Sequence, residues 1–432
     1  MLNRFKACFF SITLLISTAV SALDLAEIYQ QVLQSDPRLL VGGLRVEVNA
    51  AREQQAFGAL LPQVSINSNW TETERLADTS KENFSGERHT LSVRQPILDM
   101  PKYYAWKGSE ERYEQEELRR QDTKSLIRLD TIARYFSLLD SEDLLTVVRE
   151  EKISTEKKVE HTRALYKMQR VKITELYRGE ARLDQLVSSE MDALQARDLA
   201  KEALNELTNN TIDDVAELSS TNQFIKRLEN IHEWSAQAIP ANYALMALRK
   251  SIEAAESRID QLSAGHLPLL EFQFTKQKSN IGFEFAASPS TTSEVAALNF
   301  TLPLFSGGQT TARVYEAYQE LEIAKAEYEI EKRKVIKEVR NTFLVVNALA
   351  RRIEATNKAV ESAEKSSQAM NRSFELGIAT VSQVLDAQKD FSEAKRVYQK
   401  AKYTYITTKA KLLQVSGKLN DDFIYEISKW LL

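Results

Sequence analysis

The sequence predicts a mainly α-helical chain with a minor β part, built from one unit that occurs twice. Three observations predict it. Two stretches of about 70 residues, Ser109 to Arg178 and Gln309 to Leu376, hold neither glycine nor proline and are rich in Ala, Glu, Lys, Arg, Leu and Gln, all good helix formers. Four short segments alternate apolar and polar side chains, the period of a strand with one dry face. The order helix, strand pair, very long helix, break, helix then recurs at an offset of about 205 residues.

The first residues read as an export signal. Arg4 and Lys6 give a positive start, Ala7 to Val20 is apolar, and Val20-Ser21-Ala22 puts small residues at the −3 and −1 positions of a cut after Ala22. The apolar stretch is shorter than the roughly 20 residues of a spanning helix, and Asp24 and Glu27 follow at once. The one cysteine, Cys8, lies inside that stretch, so the mature chain is expected to carry no disulfide and no lipid on cysteine. Without Arg4 and Lys6 the formal charge goes from −4 to −6, which argues against nucleic acid as a partner. No later stretch approaches about 18 uncharged apolar residues, so a membrane role falls to strands, which are short and alternate.

After residues 1–22, the first repeat is expected over 23–208 and the second over 236–415. Strands are expected near 63–70, 89–98, 269–276 and 293–305. Val64, Ile66 and Trp70 share one parity against Gln63, Ser65, Asn67 and Asn69; Leu91, Val93 and Ile97 oppose Thr90, Ser92 and Arg94. In the second pair Leu270, Phe272 and Phe274 oppose Glu271, Gln273 and Thr275, while Leu298, Phe300, Leu302 and Leu304 oppose Asn299 and Thr301. The strands make two hairpins with long polar connections, Thr71 to Arg88 and Gln277 to Thr292, and Ile281, Phe283 and Phe285 can lengthen the second. Pro62 and Pro268 stand where helix yields to strand, Pro96 and Pro303 where strand yields to helix, since the residue before proline is biased away from the helical region. Within the long runs Leu129, Ile132, Phe136 and Leu139 form a coiled-coil-like stripe. The runs break at Lys167 to Thr174 and at Gly377 to Ser382. Two equatorial segments remain, 209–235 and 416–432, and they are expected to pack together as a belt around the helices.

Four strands leave two unpaired edges, and a membrane does not tolerate an open sheet. The strands must therefore close into a barrel shared among copies. Two copies would supply eight strands and a filled interior; three would supply 12, the simplest count with a water-filled bore. The helices continue from the strands, so they form a cylinder whose far end lies at the two breaks, where any closable aperture belongs.

Leu302-Pro303-Leu304-Phe305-Ser306-Gly307-Gly308, followed by a long helix, resembles the second strand-to-helix junction of TolC-family outer-membrane channels. Gln95-Pro96-Ile97-Leu98 resembles its partner in the first half, without the glycines. Phe374-Glu375-Leu376-Gly377-Ile378 and Val384-Leu385-Asp386-Ala387-Gln388 resemble the family's second helical turn. Ala401-Lys402-Tyr403-Thr404-Tyr405 and Ile427-Ser428-Lys429-Trp430-Leu431 look most like the members that serve type I protein secretion. The resemblance covers nearly the whole mature chain. It implies a homotrimer with a shared 12-stranded barrel continued by a helical barrel, located in the outer membrane with a long periplasmic extension. It also implies partners: a periplasmic adaptor and an inner-membrane transporter of ABC type.

The resemblance also implies aperture residues. Thr174 and Glu175 match the family's Thr-Asp pair at the first turn, and Asp386 matches an acid able to line the entrance. Phe374, Ala379 and Gln383 depart, standing where a tyrosine, an arginine and a second aspartate lie in well-known members. Ala379 cannot make a bidentate pair with a carboxylate, so the gate is either looser or fastened by residues such as Lys172 or Arg170. A ring of Glu175 and Asp386 would favour cations; each alone is also an ordinary solvated helix residue.

Enzyme constellations are missing from the pattern. His89, His161, His232 and His266 lack metal-ligand spacing, and Gly42-Gly43 and Gly307-Gly308 lack the lysine of a phosphate loop. No cofactor and no metal is expected, and transport energy must come from a partner. The alternatives are a small-molecule efflux channel, a periplasmic adaptor, or a structural coiled coil. The duplicated amphipathic strand pairs oppose the last two.

Overall fold

The computed structural model describes residues 23–77, 80–219, 224–282 and 286–431. The expected signal with its cut after Ala22, and the extension through Phe283 and Phe285, lie outside the described residues.

Helix α1 (Leu25–Ser35) starts on Asp24, whose carboxylate accepts from the Glu27 N–H at 2.7 Å while Glu27 accepts from the Asp24 N–H at 3.1 Å. Helix α2 (Pro37–Gly58) follows, capped by Asp36 and opened by Pro37, whose missing N–H has no partner to lose there. Strands β1 (Gln63–Ala77) and β2 (Ser80–Leu98) lead into α3 (Met100–Lys167), a helix of 68 residues. At 1.5 Å per residue that is on the order of 100 Å. Helix α4 (Ile173–Thr208) returns alongside it. The second half runs α5 (Ile231–Ala241), α6 (Tyr243–Ser263), β3 (Leu269–Ile281), β4 (Ala287–Thr301), α7 (Gln309–Glu375), α8 (Val381–Val415) and a short α9 (Asp421–Ser428). Helix α3 begins ahead of the glycine-free run and takes in Gly108, where a Cβ would stand 3.3 Å from the Ser257 Cβ on α6. The glycine allows the two helices to approach closely.

The four strands form one antiparallel sheet in the order β1-β2-β3-β4. The helices beneath keep that lateral order, α2-α3-α6-α7, because each strand is joined to its own helix. Farther from the sheet α4 takes a flank beside α3, and α8 lies between α3 and α7.

The structure corrects the strand limits. The supposed polar connections are mostly strand: Thr71 pairs Gly86, Thr73 pairs Phe84 and Lys278 pairs Thr292. Apolar alternation does not register these stretches because both of their faces are polar, while the main-chain ladder runs on regardless. Strand β4 ends at Thr301, so Leu302 and Leu304 belong to the link before α7. Pro96 is not a boundary: β2 runs to Leu98 across an irregularity between Pro96 and Leu98. Pro96 lies beyond the last pair with β1, Gln63 with Arg94, where proline is tolerated.

The core sits at the waist of the helices, not in the sheet. Leu25, Ile28, Tyr29 and Val32 of α1 and Phe423, Ile424 and Ile427 of α9 pack with Ile132, Tyr135 and Phe136 of α3, together with residues of α7 and α8. The two equatorial segments meet there: Leu218 bridges to Leu431, the Ser219 N–H donates to the Trp430 carbonyl at 2.8 Å, and Phe224 stacks on Trp430 with ring centroids 5.1 Å apart. Leu23, just ahead of α1, adds a parallel bridge to Val215, and the role of α1 at the waist was not foreseen. Tyr135 Oη donates to the Ala216 carbonyl at 2.7 Å, and Tyr405 Oη donates to the Lys226 carbonyl at 2.8 Å. Each buried Leu, Ile or Phe contributes about 1.5–3 kcal/mol.

At one edge of this core the Asp421 carboxylate accepts from Arg128 Nε at 2.6 Å and from Tyr29 Oη at 2.8 Å. Burial alone would raise the Asp421 carboxyl, but the hydrogen bonds from Arg128 and Tyr29 outweigh it and hold it below the usual carboxylate range. Asp421→Ala leaves the buried Arg128 without its counter-charge. The expected loss is about 2 kcal/mol, less than for a fully buried pair because Asp421 is partly exposed. Denaturant titration followed by Trp430 fluorescence measures it. A lowered carboxyl stabilises above its unfolded value, so the contribution is present above about pH 4 and is lost as pH falls further, and the variant shows a flatter acid limb.

Candidate functional site

Register puts the sheet's apolar residues on one face. Val64 stands opposite Val93, Val93 opposite Phe274, and Phe274 opposite Ala296; Phe272 stands opposite Leu298 and Leu270 opposite Phe300. This face is bare: Ile66 is 75% exposed and Phe300 65%. The other face carries Ser65, Asn67, Asn69, Ser92, Arg94, Gln273, Thr275 and Asn299. A bare apolar sheet face would be unfavourable in water but suits hydrocarbon. The strands, 13 to 19 residues long, exceed the roughly 9–11 a tilted membrane strand needs. Where the apolar band ends, Trp70 meets His89 edge-on at 5.5 Å, and Lys276 pairs with Glu294 at 2.6 Å. Pro62 and Pro268 fall just before β1 and β3, and Pro303 just after β4. Gly307 and Gly308 both have positive φ, and Gly308 opens α7. Among the described residues no helix is long and apolar enough to cross a membrane, and no group of His, Cys, Asp and Glu is placed to hold a metal ion.

At the other end the two turns are built alike. Helix α3 ends with Gln169 at φ 58°; its N–H donates to the Tyr166 carbonyl at 2.8 Å and the Arg170 N–H to the Leu165 carbonyl at 2.9 Å. Helix α7 ends with Gly377 at φ 74°, whose N–H donates to the Phe374 carbonyl at 2.9 Å, while the Ile378 N–H donates to the Ser373 carbonyl at 2.9 Å. This pair of bonds closes a helix whose next residue is left-handed. Glycine suits the position; a glutamine there is strained by about 1 kcal/mol.

The outgoing helices start differently. Helix α8 begins on Thr380, which exchanges hydrogen bonds with Gln383, so Gln383 serves as a cap. Helix α4 begins on Lys172, which offers no side-chain cap. Glu175 lies in the first turn of α4, and its Oε2 accepts from the Ser382 N–H of α8 at 3.3 Å. The carboxylate therefore sits at two helix N-termini at once, the favourable end for an anion. Arg178 stands 3.9 Å from its other oxygen. Thr174, Gln383 and Asp386 are exposed, as are Arg170 and Lys172. Phe374 is half-buried with its ring edge-on to His161 at 5.8 Å. Within one chain, then, Glu175, Gln383, Phe374 and Gly377 gather around the turns, while Thr174 and Asp386 point to solvent. The Ser382 N–H and His161 were not foreseen, since they meet their partners only across the tertiary fold. The Thr380 cap was legible as a Thr-x-x-Gln pattern.

The model of the outer membrane efflux protein family matches residues 28–210 and 234–418. The chain belongs to the outer membrane efflux protein family. Its two matched segments each contain one hairpin and one very long helix. The chain is 26% identical over 426 residues to the outer membrane protein TolC of Escherichia coli, covering 96% of this chain and 86% of that protein. It is 25% identical over 426 residues to the alkaline protease secretion protein AprF of Pseudomonas aeruginosa, covering 94% and 87%. The fold matches the Campylobacter jejuni CmeC outer membrane channel with a TM-score of 0.81 at 14% identity, over 100% of this chain and 98% of that one. This efflux-family protein is thus an outer-membrane exit duct: the sheet lies at the membrane and the long helices extend into the periplasm. Its family and fold are those of channel proteins.

Two outcomes follow. Ile66→Arg puts a charge on the lipid face and is expected to cost about 2–4 kcal/mol if deep in the bilayer, whereas Asn67→Arg on the opposite face is tolerated; the yield of folded protein in outer-membrane fractions separates them. Gln169→Gly should stabilise the first turn by about 1 kcal/mol and Gly377→Ala should weaken the second by a similar amount, read by amide exchange at residues 165–170 and 373–378.

Proposed function

We propose that three copies share one 12-stranded barrel and one helical cylinder, and that the duct serves type I protein secretion with a periplasmic adaptor and an inner-membrane ABC transporter. The observation that carries the shared barrel is the open sheet. Among the described residues its edges β1 and β4 are unpaired along their outer sides, its apolar face is bare, and the helices beneath carry unpartnered flanks in the same lateral order. Backbone groups at such edges need partners in hydrocarbon. Secretion is favoured by the likeness to AprF, named for alkaline protease secretion, and by the C-terminal ending from Ile427 to Leu431. The repeats are taken as 23–208 and 236–415, with 209–235 and 416–432 forming the equatorial belt.

The closable aperture lies at the two distal turns, with Thr174, Glu175, Phe374, Gly377, Gln383 and Asp386 around it. Glu175 holds the turns together through the α8 N-terminus, in place of the side-chain partners that Phe374, Ala379 and Gln383 do not supply.

Deleting the gene and measuring both secreted polypeptide and sensitivity to detergents and dyes tests the substrate class. Loss of a secreted polypeptide with unchanged sensitivity supports secretion; the reverse makes this an efflux duct. Detergent-extracted protein is expected to migrate as a trimer, and a stable soluble monomer refutes the shared barrel. Replacing Thr174 and Glu175 together should raise single-channel conductance in planar bilayers; an unchanged conductance means these turns do not hold the aperture.

A further inference from the structure

Helix α2 buries none of its side chains within the chain. Its interior side lies on α3, where Gly42 faces Arg120, Glu53 accepts from the Trp106 indole at 3.1 Å, and Phe57 meets the Trp106 ring. Turned away from α3 is a stripe at alternating steps of four and three: Val41, Arg45, Val48 and Arg52. Val41 is 46% exposed and Val48 49%. Helix α7 buries Ala317 and Leu321 against Ile259 of α6. Turned away from α6 it carries the matching stripe Glu320, Ile323, Glu327 and Ile330, with Ile323 58% and Ile330 66% exposed. Both stripes repeat every seven residues, the period of a coiled-coil seam with charges at its rim.

The signs are opposite. Arg45, Arg52, Glu320 and Glu327 are exposed, and none has an ion pair or side-chain hydrogen bond within the chain among the described residues. Their neighbours on α7 behave otherwise: Lys325 pairs with Glu322 at 2.9 Å and Lys332 with Glu329 at 2.8 Å, each one turn apart on the same helix. The four stripe charges lack the same-helix partners that these neighbours have.

We infer that α2 of one copy and α7 of the next form an antiparallel seam in which Arg52 meets Glu320, Val48 meets Ile323, Arg45 meets Glu327 and Val41 meets Ile330. This rests on the shared-cylinder reading and specifies its contacts. Helix α2 runs toward the sheet and α7 away from it, so the two are antiparallel, as the four pairs require. All four fall within one residue of a common antiparallel register, so a single alignment of the two helices brings together both the apolar and the charged matches. At about 100° per residue, each charged pair lies roughly a quarter-turn from its helix's interior neighbour, with the apolar pair farther round. Because the helices are antiparallel and face opposite neighbours, both charged rims come to the same wall of the cylinder. The seam therefore selects which surfaces meet and at what height, which sets the stagger of the barrel strands joined above it.

Wild-type protein extracted in detergent is the reference. Arg45→Glu with Arg52→Glu is expected to lower trimer recovery about tenfold, as is Glu320→Arg with Glu327→Arg, because each sets like charges against one another. Combining all four substitutions restores recovery. Independently, V48C and I323C chains produced together in one cell should be joined by a short bis-maleimide into a covalent pair. A trimeric wild type whose four-fold variant does not recover, or whose cysteines do not cross-link, overturns the seam and leaves the trimer standing. A monomeric wild type overturns the shared cylinder itself.

Discussion

Everything above the waist depends on one constraint: a strand in hydrocarbon must have every main-chain N–H and C=O paired. Four strands in the order β1-β2-β3-β4 satisfy this between themselves and leave two edges that nothing among the described residues covers. The same four strands display Val64, Ile66, Phe272, Leu298 and Phe300 outward and amides, hydroxyls and Arg94 on the other side. A sheet with one apolar face, one polar face and two open edges is incomplete by itself. The lateral order of α2, α3, α6 and α7 repeats the strand order, so the same incompleteness passes down into the helices and leaves their flanks bare.

A chain this elongated cannot keep one globular core along its length. The long helices touch neighbours along narrow stripes, and most of the large buried side chains gather at the waist, where α1, α9 and the segments around Val215 and Phe224 wrap α3, α7 and α8. That is where Tyr135 and Tyr405 anchor irregular backbone by its carbonyls, and where Asp421 neutralises Arg128. The waist stabilises the single chain, whereas the sheet and the flanks are left for contacts outside it.

The distal turns work on a smaller energy scale. Each is closed by two main-chain bonds and a left-handed residue, at Gln169 in one and Gly377 in the other. The link between them is Glu175, which uses the dipoles of two helix starts in place of a partner side chain. One charge-assisted contact is worth a few kcal/mol at most. An element held that weakly is suited to opening.

Much of this was written in local patterns. The parity of Val64, Ile66, Phe272 and Phe274 determined which sheet face would be apolar, and the long runs without glycine or proline marked two very long helices, because periodicity and backbone propensity act within a few residues. Even so, α3 starts ahead of its run and ends inside it at Lys167. Local patterns could not show that strands continue through Thr71 to Ala77 and from Ser80 to Arg88, since both faces are largely polar there and the main-chain ladder alone extends them. Nor could they show that α1 joins α9 at the waist, or that the Glu175 carboxylate finds the Ser382 N–H some two hundred residues away. Those were decided by tertiary structure, because each depends on which distant backbone and side chains the folded chain brings within hydrogen-bonding reach.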